Sequence, residues 1–350
     1  MNYLKYGDSL EEINLIKSLL ESKGSDLERL YREADTLRRN HMGDEVYIRG
    51  IIEFSNICAN NCLYCGIRAS NHLVNRYTMT QEEIIETAKI IESTYKATTV
   101  VLQSGETPGL TDREMGEIIR RIKKETSLAV TLSVGNRDED TYRFWRDCGM
   151  DRYLLRFETS NERLFVQLHP DCSLQERLEC IYTLKGLGVQ TGSGFMIGVP
   201  RETIDILAEN ILLCRNLELD MIGIGPFIPH PDTPLGGVNN AHETDREMFF
   251  KALAVLRIFN PDAHIPATTA FDAVFPGNGR ALALQRGANI YMPNYTPAVY
   301  RREYFLYPGK PYVDESYETC ISRVVSMIES IGRRIGEGPG HSIKRKKSVG

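Results

Sequence analysis

The chain has 350 residues, a quarter of them charged, and a formal net charge of −5 at pH 7. This length suits two average domains or one α/β barrel. The mildly negative charge argues against a general affinity for nucleic acid, which needs a basic surface. The sequence shows neither a signal peptide nor an apolar run long enough to span a bilayer. We therefore expect a cytoplasmic protein with no membrane segment.

Residues 1–45 have apolar side chains at helical spacing and are predicted to form an N-terminal helical extension. From residue 46 onward, short β-branched runs alternate with longer amphipathic ones. Strands are predicted at 46–54, 98–104, 129–134, 153–158, 190–197, 221–227, 265–270 and 290–293. Helices are predicted at 81–93, 112–123, 139–148, 174–187, 204–217, 243–259, 278–286 and near 317–331.

This alternation predicts the fold class α/β, because parallel strands need crossover helices. Eight strands predict a complete (βα)8 TIM-type barrel. We assign the barrel to residues 46–310 and a C-terminal helix with a basic tail to residues 311–350. The basic cluster at 344–347 is expected to be a frayed, solvated tail.

Three cysteines follow the first predicted strand: Cys58, Cys62 and Cys65, spaced C-x3-C-x2-C. Three thiolates bind three irons of a [4Fe–4S] cluster and leave the fourth iron open, whereas such clusters usually take four cysteines. A zinc site usually has four Cys or His ligands, but no second C-x2-C exists and no His is near the trio in the sequence. The other five cysteines are scattered and are expected in the core or on the surface.

Polar residues lie at the predicted carboxyl ends of six further strands, where barrel enzymes place their chemistry. Arg156 is a candidate anion clamp, since a buried Arg is rare unless paired. Arg177 suits a carboxylate, although a helix-surface role is also open. Thr268 and Thr269 are either hydroxyl donors or ordinary strand residues. His230, between two prolines, is a metal ligand or a structural histidine, and the structural role is favoured.

The cysteine spacing resembles the signature of radical S-adenosylmethionine (SAM) enzymes, in which the open iron chelates SAM. An electron from the cluster then splits SAM into methionine and a 5′-deoxyadenosyl radical. Segments throughout the chain after about residue 40 further resemble HydE, the radical SAM maturase of [FeFe]-hydrogenase. They are residues 43–46, 51–56, 61–66, 101–106, 151–156, 223–235, 265–270, 292–294 and 307–310.

The HydE resemblance implies roles for individual positions. Cys58, Cys62 and Cys65 would hold one [4Fe–4S] cluster. The SAM contacts would be Tyr64, Ser104, Glu106, Ser133, Glu158, Arg177, Tyr304 and Tyr307. The substrate contacts would be Gln103, Arg156, Thr268 and Thr269, as an anion-binding pocket at the far end of the barrel.

The resemblance also implies a substrate and partners. The substrate would be an organometallic Fe–CO–CN–cysteine unit delivered by the maturase HydG, and the product would pass toward the scaffold HydF. The reaction would help to build the dithiomethylamine-bridged di-iron subcluster of the hydrogenase H-cluster. An external one-electron donor is also implied, and we expect a monomer that binds neither nucleic acid nor membrane.

The chain departs from some relatives at two places. They carry a second cysteine trio, spaced C-x7-C-x2-C, where this chain has Tyr312, Cys320 and Arg323. One thiol cannot hold such a cluster, so we expect no second one. Phe157 stands where a relative has His, which leaves the chemistry of the local pocket open.

Three alternatives remain at this point. A methylornithine synthase-like mutase acting on an amino acid would share the barrel and the cluster. A biotin synthase-like sulfur donor is less well supported, because no cysteine set for a sacrificial [2Fe–2S] cluster is visible. A non-catalytic scaffold that carries a cluster or zinc belongs to another class. Iron content and SAM cleavage after reduction would separate these readings.

Overall fold

The computed structural model describes residues 10–95, 97–106 and 109–344. Its helices are α1 Leu10–Leu20, α2 Gly24–Met42, α3 Gln81–Tyr95, α4 Asp112–Glu125, α5 Glu139–Asp147, α6 Glu162–Leu168, α7 Leu174–Gly186, α8 Ile204–Asn216, α9 Met248–Phe259, α10 Thr269–Val274, α11 Gly279–Gln285, α12 Ala298–Arg301 and α13 Tyr317–Ser330. Its strands are β1 Glu45–Ile48, β2 Gly50–Ser55, β3 Thr99–Ser104, β4 Ala129–Ser133, β5 Arg152–Leu154, β6 Gln190–Ser193, β7 Met196–Ile197, β8 Met221–Ile222, β9 Gly225–Pro226, β10 Pro266–Ala267, β11 Ile290–Tyr291 and β12 Arg334–Ile335.

The strands close into the predicted barrel. Six parallel strands pair in the order β2-β3-β4-β5-β6-β8. A bridge from Met221 to His264 leads on to β10, which pairs with β11. β11 pairs with β1, and a bridge from Ile51 to Asn294 returns to β2. When β1 and β2 are counted as one interrupted strand, the barrel has eight strands, which confirms the (βα)8 class.

Apolar side chains explain why these elements pack together. The strands are nearly continuous runs of buried residues, as expected of parallel strands covered on both faces. Helices α1 and α2 pack against α8 and α9 on the outside of the barrel. In α2 the buried residues Leu30, Ala34, Arg38 and Met42 recur every four positions along one face. None of the helices in the described part of the chain is long and apolar enough to cross a bilayer.

Several predicted elements are wrong at the mouth of the barrel. The predicted strand 153–158 ends at Leu154, and Glu158 adopts φ +62, outside any regular strand. The predicted strand 190–197 divides at Gly194, whose φ of +151 breaks the ladder. The predicted strand 265–270 contains only Pro266 and Ala267, and α10 begins at Thr269.

Helix predictions also need correction. The predicted helix 243–259 begins five residues later, at Met248, after a run of turns. Three short helices, α6, α10 and α12, were not predicted, because such short segments give only a weak helical periodicity. Strand β12, which pairs with β1, was also missed, since two residues carry no alternation.

The segment after β12 closes the amino-terminal end of the barrel. Carbonyls of Pro339 and Gly340 accept hydrogen bonds from Arg152 and Arg49, two buried residues inside the barrel. The amide of Ser342 donates to Gln190 Oε1 over 2.8 Å. Lys344, predicted in the solvated tail, instead donates to the carbonyl of Leu219 over 2.6 Å. The other tail residues, 345–347, lie outside the described residues.

Candidate active site

A cavity of about 390 Å³ opens at the carboxyl ends of the strands. Every residue proposed above as a cluster, SAM or substrate contact lines it. These are Cys58, Cys62, Tyr64, Cys65, Gln103, Ser104, Glu106, Ser133, Arg156, Glu158, Arg177, Thr268, Thr269, Tyr304 and Tyr307. The barrel thus brings together residues that are up to about 250 positions apart in the chain, while their individual roles stay predictions.

The cysteine loop, residues 56–71, follows β2 and is fixed at several points. The amide of Ala59 donates to the Glu106 carbonyl over 2.9 Å. The Arg76 guanidinium donates to the carbonyls of Asn56 and Ile67 over 2.7 Å each, and also to those of Arg68 and Asn71. One side chain therefore joins the two ends of the loop around the three thiols.

The three thiols are half-buried and lie in a low-dielectric setting. Burial raises the pKa of Cys65 to about 12 and also raises the pKa of Cys58 and Cys62. Among residues 10–95, 97–106 and 109–344, no three His, Cys, Asp or Glu side chains converge as one metal ion requires.

Glu106 and Arg177 lie together beside the loop. Glu106 Oε2 is 3.4 Å from Arg177 Nη2, and Glu106 Oε1 accepts the amide of Asn136 over 3.0 Å. A Cβ on Gly135 would lie 2.2 to 2.5 Å from the Glu106 side chain, so only glycine leaves room for this carboxylate. Arg177 is 7% exposed, and its Nε has no hydrogen-bond partner. The site thus offers a carboxylate and a guanidinium to an amino acid moiety.

Arg156 and Glu158 form a second pair, just beyond the end of β5. Arg156 Nη2 lies 2.8 Å from Glu158 Oε2 in an ion pair, and neither atom has a hydrogen-bond partner. Burial raises the pKa of Glu158, while Arg156 and Arg177 oppose the rise. Both side chains therefore retain buried polar atoms that a ligand could satisfy.

A histidine missed in the sequence lies beside the cysteine loop. His169 Nε2 is 2.8 Å from the Tyr64 hydroxyl, although the two residues are 105 positions apart in the sequence. The ring of His230 also packs against Gly66, where a Cβ would approach it to 2.6 Å. Sequence spacing gave no signal for either contact, because both depend on how distant loops meet.

The remaining predicted residues line other walls of the cavity. Gln103 Nε2 donates to the Tyr304 hydroxyl over 3.3 Å. Thr268 Oγ1 donates to the carbonyl of Ile224, and Thr269 begins α10. The Thr268 hydroxyl thus has a structural partner within the barrel. Burial raises the pKa of Tyr307, so its phenol stays protonated.

Residues 303–310, called here the roof, lie over the cysteine loop. The amide of Gly66 donates to the Leu306 carbonyl over 3.0 Å, and Asn56 Nδ2 donates to the Glu303 carbonyl over 2.8 Å. A Cβ on Gly66 would lie 2.1 Å from the Phe305 carbonyl oxygen, so this close approach requires glycine.

A buried ion pair fixes the roof to the barrel wall. Lys310 Nζ lies 2.6 and 2.7 Å from the two carboxylate oxygens of Glu53, and donates to the Tyr304 carbonyl over 3.1 Å. Asn294 donates to the same carboxylate over 2.7 Å. The roof, strand β2 and the segment after β11 therefore meet at Glu53.

The positions of the missing second trio are occupied by a charged and aromatic cluster. Arg323 makes two contacts of 2.8 Å to the carboxylate of Glu315, and its guanidinium lies 3.7 Å above the Tyr312 ring. Arg323 Nη2 also approaches Cys320 Sγ at 3.6 Å. Phe157 is fully buried against Phe195 and does not line the cavity.

Comparison with known proteins accounts for this arrangement. Residues 52–214 match the model of the radical SAM superfamily. The [FeFe] hydrogenase maturase subunit HydE of Thermotoga maritima is 49% identical over 313 residues, which cover 89% of this chain and 88% of the relative. The chain belongs to the HydE family. It is therefore a radical SAM enzyme.

Other relatives of this HydE-family chain are more distant. The 3-methylornithine synthase of Methanosarcina barkeri is 30% identical, with 77% of this chain and 75% of that protein covered. A crystal structure of methylornithine synthase superposes with a TM-score of 0.80 at 27% identity, covering 93% and 94% of the two chains. These matches confirm the TIM-type barrel.

Membership of the radical SAM superfamily implies a [4Fe–4S] cluster and SAM, and the residues present fit both. Three half-buried thiols on one loop could serve as three ligands. Buried atoms without hydrogen-bond partners, Arg177 Nε and Glu158 Oε2, face the same cavity as the thiols. These atoms suit the polar groups of an amino acid and a ribose.

Proposed function

We propose that this chain is a maturase of [FeFe]-hydrogenase that acts on a cysteine-derived Fe–CO–CN precursor in H-cluster assembly. The observation that carries the proposal is the 49% identity to a HydE over almost nine-tenths of both chains, together with a cavity lined by every predicted contact. The anionic precursor suits the guanidinium of Arg156, which has buried N–H groups without hydrogen-bond partners.

In the proposed site Cys58, Cys62 and Cys65 hold one [4Fe–4S] cluster. When bound and reduced by an external donor, the cluster and SAM would supply an electron and a 5′-deoxyadenosyl radical. Glu106 and Arg177 would orient the amino and carboxylate groups of SAM, and Glu158 would accept hydrogen bonds from its ribose. Ser104, Ser133, Tyr64, Tyr304 and Tyr307 would complete the SAM pocket.

The protein's own contribution is placement and exclusion of water. Gln103, Arg156, Thr268 and Thr269 would orient the substrate, with Arg156 as the anion clamp. The roof covers the cysteine loop and limits access of solvent to the reacting atoms. The Arg323–Glu315 pair stands where a second cluster would need thiols, which supports a single cluster. Transient contacts with HydG-like and HydF-like maturases complete the proposal.

The test is activation of apo-hydrogenase in a defined anaerobic mixture with HydG, HydF and a reductant. We expect about four irons per chain after reconstitution, 5′-deoxyadenosine on reduction with SAM, and hydrogenase activity that requires this chain. A chain that cleaves SAM without supporting hydrogenase activity would contradict the maturase role. Zinc in place of iron, or no SAM cleavage, would support a non-catalytic scaffold.

A second candidate is a methylornithine synthase-like mutase, favoured by the TM-score of 0.80. The same reconstituted protein, incubated with L-lysine and SAM under reduction, would then form methylornithine, detected by mass spectrometry. We expect no such product, because the identity to HydE, 49%, is higher than the 30% identity to a 3-methylornithine synthase.

A further inference from the structure

The turn that follows α6, residues 168–171, docks on the cysteine loop at three points. The amide of Leu63 donates to the Leu168 carbonyl over 2.9 Å. The amide of Asn61 donates to Asp171 Oδ2 over 2.6 Å. The third contact is the 2.8 Å hydrogen bond between the Tyr64 hydroxyl and His169 Nε2, and it is the only one of the three made by two side chains.

The surroundings of His169 fix the direction of that hydrogen bond. His169 Nδ1 lies 3.1 Å from the carbonyl of Phe165, which only accepts, so Nδ1 carries the proton. Nε2 therefore accepts from the Tyr64 hydroxyl. Burial, with a smaller effect of Arg177, lowers the pKa of His169 to about 3, which keeps the ring neutral. The ring stacks on Phe165 at 4.3 Å between centroids.

The ring of Tyr64 forms part of the cavity wall. It packs on a small apolar cluster at the mouth, separate from the main core, formed by Leu164, Leu168, Met196, Val199 and Phe227. It lines the cavity together with the three cysteines and Glu158. A tether at the hydroxyl end stops this ring from swinging into the cavity.

We propose that His169 is a positioning residue that holds the Tyr64 ring as the apolar wall of the pocket for the nucleoside of SAM. The inference rests on the proposed SAM site, and it assigns His169 a role through Tyr64 rather than contact with reacting atoms. An aromatic ring that is already fixed loses less conformational freedom when a nucleoside packs on it, so the tether raises affinity.

The test is a double-mutant cycle with Tyr64→Phe, His169→Phe and the double variant, with the dissociation constant of SAM measured on anaerobically reconstituted protein. We expect each single variant to weaken SAM binding about five- to tenfold, because one buried hydrogen bond is lost. The double variant should bind no more weakly than either single one. His169→Gln keeps an acceptor for the hydroxyl and should stay within about twofold of wild type.

Two controls distinguish a specific effect on the Tyr64 ring from a general destabilisation of the protein. Tyr31→Phe removes a comparable 2.6 Å hydrogen bond to Glu247, outside the cavity, and should leave SAM affinity unchanged. Iron content before SAM addition should stay at about four per chain in all variants. The change of the cluster's electron paramagnetic resonance signal on SAM binding provides a readout that does not depend on turnover.

Additive effects in the cycle, or unchanged SAM affinity in both single variants, would overturn the assignment. Loss of iron from Tyr64→Phe would also overturn it, since the hydroxyl would then support the cysteine loop itself. Failure of the wild-type protein to bind SAM despite a full cluster would overturn both the proposed function and this assignment. Measuring the SAM affinity of the wild-type protein first reveals that outcome before any variant is compared. Variants that differ only in hydrogenase activation, with equal SAM affinity, would contradict the positioning role alone.

Discussion

Among single residues, the three cysteines gave the clearest indication of the kind of site and of its place in the fold. Their spacing indicated an open iron–sulfur site, and their place after the first strand predicted the mouth of a barrel. The structure places them on one loop whose ends Arg76 joins. The role of Arg76 could not be predicted, because a guanidinium that binds four main-chain carbonyls leaves no pattern in the sequence.

We predict that Cys62→Ala abolishes iron binding as a [4Fe–4S] cluster, since the remaining two thiols of the loop cannot satisfy three irons. Cys320→Ala is the matched control, because Cys320 lies beside Arg323 and not in the loop. Iron analysis and absorbance after reconstitution measure both. A full cluster in Cys62→Ala, or iron lost from Cys320→Ala, would show that the ligands are wrongly assigned.

A second prediction for a single residue concerns Gly135 and the affinity for SAM. Gly135 has φ +83, and a Cβ there would displace the Glu106 side chain, whereas Gly188 has φ +74 and open space around it. Alanine at either position costs about 1 kcal/mol of backbone strain. Only Gly135→Ala should weaken SAM binding, by about tenfold for a lost charged hydrogen bond. Equal SAM affinities in the two variants would argue against a contact between Glu106 and SAM.

Among the elements, the sequence predicted the regular part of the barrel better than its mouth. Capped helices such as α4, with Thr111 and Glu114 in a capping box, have clear signals at their starts. The ends of the strands do not, because there the chain leaves the sheet to form the site. Glu158 at φ +62 and the helix that begins at Thr269 are examples, and both lie in the cavity wall.

The attachment of the roof to the barrel wall could not be predicted from the sequence. Lys310 and its partner Glu53 each lie in a segment that resembles HydE, but nothing in either segment indicates that the two side chains pair. Both side chains are less than a tenth exposed, so neither finds water as a substitute partner. The pairing of two residues so far apart in the sequence cannot be inferred from the pattern of residues around either one.

We predict that Lys310→Met lowers the free energy of unfolding by about 3–5 kcal/mol, because it leaves the Glu53 carboxylate buried without its cation. Adding Glu53→Gln should restore part of the loss. Lys89→Met is the control, since Lys89 pairs with Glu86 on an exposed helix surface and its loss should change stability far less. Denaturant unfolding of the metal-free proteins measures all three. Equal losses in Lys310→Met and Lys89→Met would contradict this account of the roof.

In the molecule as a whole, one end of the barrel carries the candidate active site and the other end is closed by the C-terminal segment. The mouth carries the thiols and the charged pairs, and the other end is closed by residues 336–344. That closure satisfies buried groups of Arg49, Arg152 and Gln190, which would otherwise face an open barrel. Sequence reasoning assigned this segment to a tail, because it contains neither helix nor strand of useful length.

We predict that truncation after Ile335 lowers the unfolding midpoint by about 5–10 °C, since several buried polar groups lose their partners. Truncation after Lys344 is the control for chain shortening, because it keeps the contact to Leu219. Calorimetry on both proteins gives the comparison. A midpoint unchanged by the longer truncation would show that the closure adds no stability.

The ion pair between Lys310 and Glu53 also sets an order of assembly. Its two residues stand 257 positions apart, at opposite ends of the barrel sequence. Contacts of such separation form late in folding, after the local βα units, because the closure of a long loop costs entropy first. We therefore expect the ring of strands and the roof over the cysteines to be completed together. On this account the cysteine loop would become a receptor for a cluster only after the barrel has closed.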